Sequence, residues 1–538
     1  MNANEPVISF AEPTEEKYKF SRADAVVAWV AVLLGYLFIR VLPVRENRLG
    51  AALFLTALWG VTYAWLRISG IRPASRANVF AVGAVAMIPA LVITSDEFVI
   101  WWMYLGELAV LMYFISTAGG NSVENKLGGM FFLDVLGSIF VAPLGDIGAH
   151  PRALLPKRGR GAGKKAIVTL LWSGLGLCIA VVPTLIIVAM LSFDDNFMDI
   201  IDKIFSFDIE WSEQVWERIV AVIFGIPIAI YGYAAVIASR RKSLGDKMTA
   251  ENCERLAERS KCLPSALVYA AITPILAVYV IFFVSQWDIY MSAFTGVLPE
   301  GFIYSDYARK GFFQLVCIAV INAAILLGVH LFVQRKAKLS KILLRIYMIV
   351  ISAMTLILIA TAMSRMALYI RTYGLTVSRI HASWFMVVLI VAFVLAIVKQ
   401  IWSRLRLTPI LLGSVAVLFA LLIYSNVNAV VANYNTDAYL DGRLDSVDVD
   451  EIMEMKYAGV LAMIRLAENA DDEKVREAAE LYLQTYAVQL SSDNSPVSFN
   501  IPRARAKSVM RRHGYNITKP IDVDQDRTFY EVAETTER

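Results

Sequence analysis

The run TPILLGSVAVLFALLIYSN at residues 408–426 contains no charged side chain. A helix needs about 20 apolar residues to cross the hydrocarbon core of a bilayer. Within that core, every backbone N–H and C=O group has to be paired inside the protein. The run is therefore predicted to be a membrane-spanning helix. Ten further stretches share its length and apolar character, at residues 23–42, 49–69, 77–94, 98–117, 166–192, 219–239, 264–287, 310–333, 342–366 and 380–403.

The composition of the whole chain agrees with this interpretation. Its 538 residues are 58% hydrophobic and only 18% charged, and the mean hydropathy is +0.57. A soluble chain of this length needs a larger share of charged residues to cover its surface. We therefore predict an all-α protein, a polytopic transmembrane helical bundle of about 11 spans with a small C-terminal helical domain.

The basic loops predict how the spans are oriented. Lysine and arginine are concentrated in the segments 145–165, 240–262 and 334–341 and around residues 399–406, which fall on one side of the bundle when the spans are counted. The acidic segment 193–217 falls on the other side. Because short basic loops stay in the cytoplasm, we predict a multi-pass protein of the bacterial cytoplasmic (inner) membrane. Its N-terminus is predicted to be cytoplasmic and its C-terminus extracytoplasmic.

The same count divides the chain into six segments. They are a polar cytoplasmic tail (1–22), transmembrane helices 1–4 with an interfacial segment (23–143), a basic cytoplasmic loop (144–165), transmembrane helices 5–11 (166–427), an extracytoplasmic helical hairpin (428–490) and a partly ordered tail (491–538). Residues 128–143 and 196–217 are expected to lie along the membrane surface. The hairpin is predicted to consist of helices at 448–468 and 472–490, with Ser446 or Asp448 capping the first.

Several classes of function lack their sequence signatures. A net charge of +4 is too mild to indicate a nucleic-acid partner. The four cysteines and four histidines are scattered, so no metal site is expected. The run RGRGAGKK at residues 158–165 lacks the spacing of a phosphate-binding loop. We therefore predict no cofactor and no catalytic residue, and the absence of a complete catalytic motif favours a protein that is not an enzyme.

Two predicted outward-facing segments, 304–315 and 365–379, are unusually rich in tyrosine and arginine. Gly374 suits a helix end, and Thr376 or Ser378 can cap the helix that follows. Arginine binds phosphate and carboxylate through its planar fork, so these segments are a candidate anion site. The candidate ligand-binding residues are Tyr304, Asp306, Tyr307, Arg309, Arg365, Tyr369, Arg371, Tyr373 and Arg379. Alternatively, tyrosine and arginine simply anchor helix ends at the membrane interface.

Three blocks in this region carry a family resemblance. YARKGFFQL (307–315), RMALYIRTYGLT (365–376) and NAVVANYN (428–435) occur in this order, with Trp384 following the second block. Together they resemble the bacterial integral-membrane families of unknown function numbered 4153 and 4173, over about residues 260–470. YAGVLAMIRLAE (457–468) departs from the pattern expected there. The resemblance implies a multi-span membrane protein without a settled activity.

The sequence thus predicts an integral membrane protein with an envelope-facing surface that binds an anion, a lipid headgroup or a partner protein. Its expected partners are the lipid bilayer and either an anionic lipid headgroup or an envelope protein. A secondary transporter is one alternative, and an enzyme that acts on a lipid-linked substrate through Asp306 or Asp194 is another. Glu107 and Asp134 are candidates for ion coupling. Alternatively, Glu107 is neutral or bonded to a neighbouring helix, and Asp134 lies at the interface.

Overall fold

The structure is a computed structural model. It describes residues 20–42, 47–123, 127–154, 213–242, 250–285, 304–334, 338–492 and 496–515, together with Gly176, Ile187, Leu191 and Ile517. Apart from one isolated bridge between Leu263 and Val333, the ordered elements of these residues are helices. The predicted all-α class is confirmed.

Twenty α-helices follow one another along the described residues. They are α1 (Arg22–Val41), α2 (Arg48–Ile68), α3 (Ser75–Met87), α4 (Ala90–Ile93), α5 (Glu97–Ala118), α6 (Phe131–Leu136), α7 (Ala142–Gly145), α8 (Ala149–Leu154), α9 (Glu213–Arg241), α10 (Ala250–Ser260), α11 (Ser265–Ser285), α12 (Tyr304–Phe332), α13 (Lys338–Tyr373), α14 (Val377–Ile401), α15 (Leu407–Tyr424), α16 (Val427–Leu440), α17 (Val449–Glu454), α18 (Val460–Asn469), α19 (Glu473–Ser492) and α20 (Ile501–Arg512). Short π-helical or 3-10 segments occur at Gly137–Val141, Lys456–Ala458 and Pro496–Ser498.

Nine of the described helices are long and apolar enough to cross a membrane, namely α1, α2, α5, α9 and α11–α15. They correspond to nine of the eleven predicted spans. The predicted span 77–94 is instead split into α3 and α4 at Pro89, which has no N–H group to continue the helix. The predicted span 166–192 and most of the predicted interfacial segment 196–217 lie outside the described residues. The segment 128–143 forms short helices rather than a span.

The chain divides into two compact units, one formed by Met1–Ile88 and Met103–Arg255 and the other by Pro89–Trp102 and Leu256–Arg538. In the first unit, α1 packs closely along α9. Gly35 and Gly225 meet at this crossing, where a Cβ atom built on Gly35 would lie only 2.1 Å from the carbonyl oxygen of Gly225. Small residues at such a crossing let two helix backbones approach each other.

The core of the second unit lies among α11, α12, α13 and α14. A polar group is enclosed in it: the Tyr279 hydroxyl donates to Asn322 Oδ1 at 2.8 Å, and Asn322 Nδ2 donates to Thr355 Oγ1 at 2.8 Å. These three residues lie on α11, α12 and α13 respectively. Side-chain hydrogen bonds between spans stabilise helix association where water is absent.

The C-terminal part of the second unit contains five helices, α16–α20, where the sequence predicted two. The predicted helix 448–468 is broken into α17 and α18 around Lys456, whose φ is +51°. Asp448 caps α17, because its Oδ1 accepts the Glu451 N–H at 3.0 Å. The predicted helix 472–490 is confirmed as α19. The helices α16 and α20 were not predicted, because Asn and Asp in α16 and Pro502 and the many arginines in α20 weaken the apolar period.

The α1–α9 crossing gives a first test. We expect Gly225→Ala to lower the free energy of unfolding by about 1 to 3 kcal/mol, because its Cβ would lie 2.8 Å from backbone atoms of Gly35 and Tyr36. Gly232→Ala is the matched control in the same helix, since a Cβ there meets nothing within 4 Å. Thermal unfolding of the purified protein in detergent measures both. Equal stability of the two variants would contradict the close crossing.

Candidate functional site

The corner between α13 and α14 is the first part of the site. Gly374 ends α13 with a φ of +78°, a conformation that glycine adopts without steric cost. Thr376 then caps α14, because its Oγ1 accepts the Arg379 N–H at 3.3 Å. The helix end predicted at Gly374 is confirmed, and Thr376 is the capping residue of the two that were considered, Thr376 and Ser378.

Asn435 of α16 holds this corner in place. Its Oδ1 accepts the Leu375 N–H at 2.7 Å, and its Nδ2 donates to the Leu375 carbonyl at 2.8 Å. A Cβ on Gly374 would lie 2.8 Å from Asn435 Oδ1, so the approach also requires glycine there. The second and third blocks of the family resemblance, RMALYIRTYGLT and NAVVANYN, thus meet through one amide side chain.

Arg379 and two tyrosines consolidate the end of α13. The Arg379 guanidinium donates to the carbonyls of Tyr373, at 3.1 Å, and Gly374. Its Cζ lies 4.1 Å from the centroid of the Tyr369 ring, and the rings of Tyr369 and Tyr373 are in edge contact at 5.1 Å. Carbonyls at a helix C-terminus attract cations, so these contacts close the end of α13.

The other predicted site residues are spread more widely. Arg365 is buried within α13, and Arg371 is exposed near its end. Tyr304, Asp306, Tyr307 and Arg309 belong to the first turns of α12, but their side chains lie outside the described part of the structure. Convergence of the two arginine segments on one anion therefore stays a prediction.

A cavity of about 340 Å³ lies beside the α13–α14 corner in the second unit. Its walls are the α4–α5, α13–α14 and α17–α18 corners and the start of α16. The lining residues are Ser95, Asp96, Glu97, Phe98, Thr376, Val377, Ser378, Asn428, Glu451, Glu454, Met455 and Lys456. Four carboxylates and one ammonium group therefore surround a space that also contains hydroxyls and apolar side chains.

The α4–α5 corner is fixed by Asp96, which is 3% exposed. Its Oδ1 accepts the Val99 N–H at 3.3 Å in the first turn of α5, and its Oδ2 lies 2.5 Å from His381 Nε2 on α14. The His381 ring is also 4.9 Å from the Phe98 ring. One buried carboxylate thus ties the α4–α5 corner to the start of α14.

The third corner, between α17 and α18, contains Lys456. Its φ of +51° is a left-handed conformation that lysine rarely adopts. Its Nζ lies 3.8 Å from Glu97 Oε1, and its carbonyl accepts the Tyr482 hydroxyl at 3.0 Å. Such backbone conformations persist only where the surrounding structure enforces them, and they are frequent at binding sites.

Glu451 is a lining carboxylate whose pKa is raised. Burial raises its pKa above the ordinary value of 4.5, and the negative charges of Asp448 and Glu454 act in the same direction. The positive charge of Arg379 opposes them. Arg379, a predicted site residue, therefore influences the cavity through Glu451 as well as closing the end of α13.

Sequence reasoning missed most of the cavity. Asp96 and Glu97 fall in the gap between the predicted spans 77–94 and 98–117, and Glu451, Glu454 and Lys456 fall within the single helix predicted at 448–468. The departure of residues 457–468 from the family pattern was the nearest signal. No segment-by-segment pattern shows that residues so far apart in sequence line one space.

The two candidate ion-coupling acids each have a structural partner in the first unit. Glu107 Oε2 accepts the indole N–H of Trp59 at 2.9 Å, which joins α5 to α2. Asp134 is buried and accepts the backbone N–H of Val123. The Glu107 contact favours the helix-bonding alternative for that residue, whereas Asp134 is bonded to a loop. Among the described residues, no group of three or more His, Cys, Asp or Glu side chains is placed to hold a metal ion.

The helices and the cavity define a multi-pass α-helical membrane protein with a polar pocket at the helix ends. Residues 77–466 match the family model described as Domain of unknown function (DUF4153). The match covers most of the chain, so the protein belongs to this family. It also extends well beyond the region of the resemblance seen in the sequence. No curated protein and no solved structure matches the chain significantly.

Asn435 is the residue on which to test the assembly of the site. We expect Asn435→Leu to lower the free energy of unfolding by about 1 to 3 kcal/mol, because the Leu375 N–H and C=O groups lose their partners. Asn433→Leu is the matched control, since the Asn433 side chain donates within its own helix, to the Ala429 carbonyl. Thermal unfolding compares the two, and an Asn435 variant as stable as the Asn433 variant would contradict the role of the clamp.

Proposed function

We propose that this protein binds a small zwitterionic headgroup, an ammonium next to a phosphate, in the cavity bounded by its three corners. The observation that carries the proposal is the meeting of Glu97, Thr376 and Glu451, which are remote in sequence, around one polar space of about 340 Å³. Small-molecule sites are concave and contain a few convergent polar groups in a partly apolar wall.

The charges of the lining support this class of ligand. Asp96, Glu97, Glu451 and Glu454 are carboxylates, which attract an ammonium group. Among the lining residues that the structure describes, Lys456 is the one cation, and its ammonium can pair with a phosphate. Ser95, Thr376 and Ser378 add hydroxyls for hydrogen bonds.

The proposed orientation places the cavity on the envelope side. Counting spans from the basic loops puts residues 95–97, residues 374–376 and the chain after residue 427 on the same face, opposite the lysine-rich loops. These are the segments whose corners line the cavity. A headgroup exposed at that membrane surface would therefore have direct access to it.

The proposed ligand carries an ammonium group, whereas the arginines in the sequence led us to expect a surface that binds an anion. The Arg379 guanidinium is engaged by the carbonyls at the end of α13 and by the Tyr369 ring, so it holds the α13–α14 corner beside the cavity rather than offering a free cation to a ligand. Because the cavity lies at helix ends rather than at the middle of the spans, it favours a binding protein over the transporter alternative. The enzyme alternative depends on Asp306 or Asp194, whose side chains lie outside the described residues, so it stays a prediction.

The experiment measures binding of glycerophosphoethanolamine and of a short-chain phosphatidylethanolamine to the purified protein. The matched phosphoglycerol compounds, which lack the ammonium, serve as ligand controls. We expect both ethanolamine probes to bind and the phosphoglycerol probes to bind at least tenfold more weakly. If only the lipid binds, the ligand is the membrane lipid; if both bind equally, the headgroup alone is recognised. Binding of neither, or equal binding of the phosphoglycerol probes, would refute the proposal.

Replacing two lining carboxylates tests the site itself. We expect Glu451→Gln with Glu454→Gln to weaken ethanolamine binding by about 30- to 150-fold, because each glutamine replaces a charge-assisted hydrogen bond of about 1.5 to 3 kcal/mol with a neutral one of about 0.5 to 1.5 kcal/mol. Glu477→Gln with Glu480→Gln removes the same charge from exposed positions of α19 and should bind like the parent.

Binding by the parent should also weaken as the pH falls through the raised pKa of Glu451, because the carboxylate is then neutralised. The single variant Glu451→Gln should lose that part of the pH dependence.

A further inference from the structure

The second unit carries a surface that the proposed headgroup cavity does not use, at the start of α20. Val497, Phe499 and Ile501 are 43%, 47% and 47% exposed, whereas the intervening Ser498 and Asn500 are buried. Three apolar side chains therefore alternate with two inward-facing polar ones. Most soluble surfaces do not present an aromatic and two aliphatic side chains so close together.

Arginines follow this apolar group along the chain, on the exposed side of α20. Arg505, Arg511 and Arg512 of α20 are exposed, while Pro502, Ala506 and Met510 are buried. Asn500 starts the helix, because its Oδ1 accepts the Arg503 N–H at 2.8 Å. The helix thus has one side packed into the unit and another that combines an apolar tip with cationic side chains.

Contacts within the second unit place α20 near the end of membrane-spanning helices. α20 contacts α4, and α4 contacts α15, one of the nine candidate spans. Ala90 and Leu91 of α4 are completely buried. The chain leaves α4 at the cavity, which Asn428 also lines just after α15 ends. α20 therefore packs beside α4, at the end of the unit where the candidate span α15 stops.

We propose that Val497, Phe499, Ile501, Arg505, Arg511 and Arg512 form a membrane-docking surface that binds anionic lipid headgroups. The apolar tip enters the boundary between headgroups and acyl chains, and the arginines pair with lipid phosphates. Aromatic and aliphatic side chains beside arginines are the composition that interfacial helices use. Each arginine near an anionic surface strengthens binding about fivefold. This surface is independent of the proposed zwitterionic headgroup site.

The test uses an environment-sensitive fluorophore on Phe499→Cys in the full chain, with the native cysteines replaced by alanine and the protein reconstituted in nanodiscs. We expect brominated phosphatidylglycerol to quench the label, and quenching to fall when brominated phosphatidylcholine replaces it. Leu481→Cys on α19, which is equally exposed at 47%, is the matched position and should stay unquenched. Absence of quenching at Phe499, or stronger quenching at Leu481, would overturn the proposal.

Neutralising two of the arginines distinguishes docking to lipid from docking to a protein partner. Arg505→Gln with Arg511→Gln should lower the ratio of docked to free label about 25-fold in anionic nanodiscs. Lys474→Gln with Arg443→Gln removes the same charge at other exposed positions and should leave the ratio unchanged. If the label is quenched equally in anionic and zwitterionic discs and neither pair of substitutions changes the quenching, anionic lipid is not the occupant and the proposal fails. Retained quenching in the control pair, together with native thermal unfolding of both pairs, excludes misfolding as the cause.

Discussion

The pairing of the Asn435 amide with both backbone polar groups of Leu375 is the interaction on which the site depends. A turn between two spans has to satisfy its N–H and C=O groups, because unpaired buried groups are costly. Here one side chain from a helix 60 residues further along the chain does so. The amide positions α16 against the corner and so brings Asn428 to the cavity wall. Gly374 is needed for the same contact, since a Cβ would collide with the amide oxygen.

Two more side chains extend this arrangement to the other corners. Asp96 links the first turn of α5 to His381 of α14, and Lys456 approaches Glu97 from the tail. Each contact joins segments remote in sequence, and the three corners then enclose a polar space. The described residues at these helix ends are mostly acids, with Lys456 among them, so the lining carries more negative than positive charge. This is why the cavity favours a ligand with an ammonium group over a simple anion.

The sequence predicted the architecture because hydrophobic length is a local property. Among the described residues, nine candidate spans and the Gly374 helix end could be identified from consecutive residues alone, and the cap of α14 could be narrowed to Thr376 or Ser378. The third span differed because Pro89 interrupts an otherwise apolar run, which a hydropathy count does not register. In the tail, the left-handed Lys456 divides a helix whose apolar period continues on both sides. Arg379 was identified as a site residue, but its carbonyl partners depend on the turn geometry. The cavity itself could not be predicted, since it depends on contacts between Asp96, Asn435 and Lys456 and segments far from them in the chain.

Zero-length carbodiimide crosslinking in native membranes tests most directly whether the corners meet. The reagent joins a carboxylate and an amine that are already in contact, and Glu97 Oε1 and Lys456 Nζ are 3.8 Å apart. The account predicts a crosslinked peptide pair containing Glu97 and Lys456, detected by mass spectrometry and lost in Glu97→Gln. Recovery of Lys456 joined only to acids of its own segment, with none joined to Glu97, would contradict it.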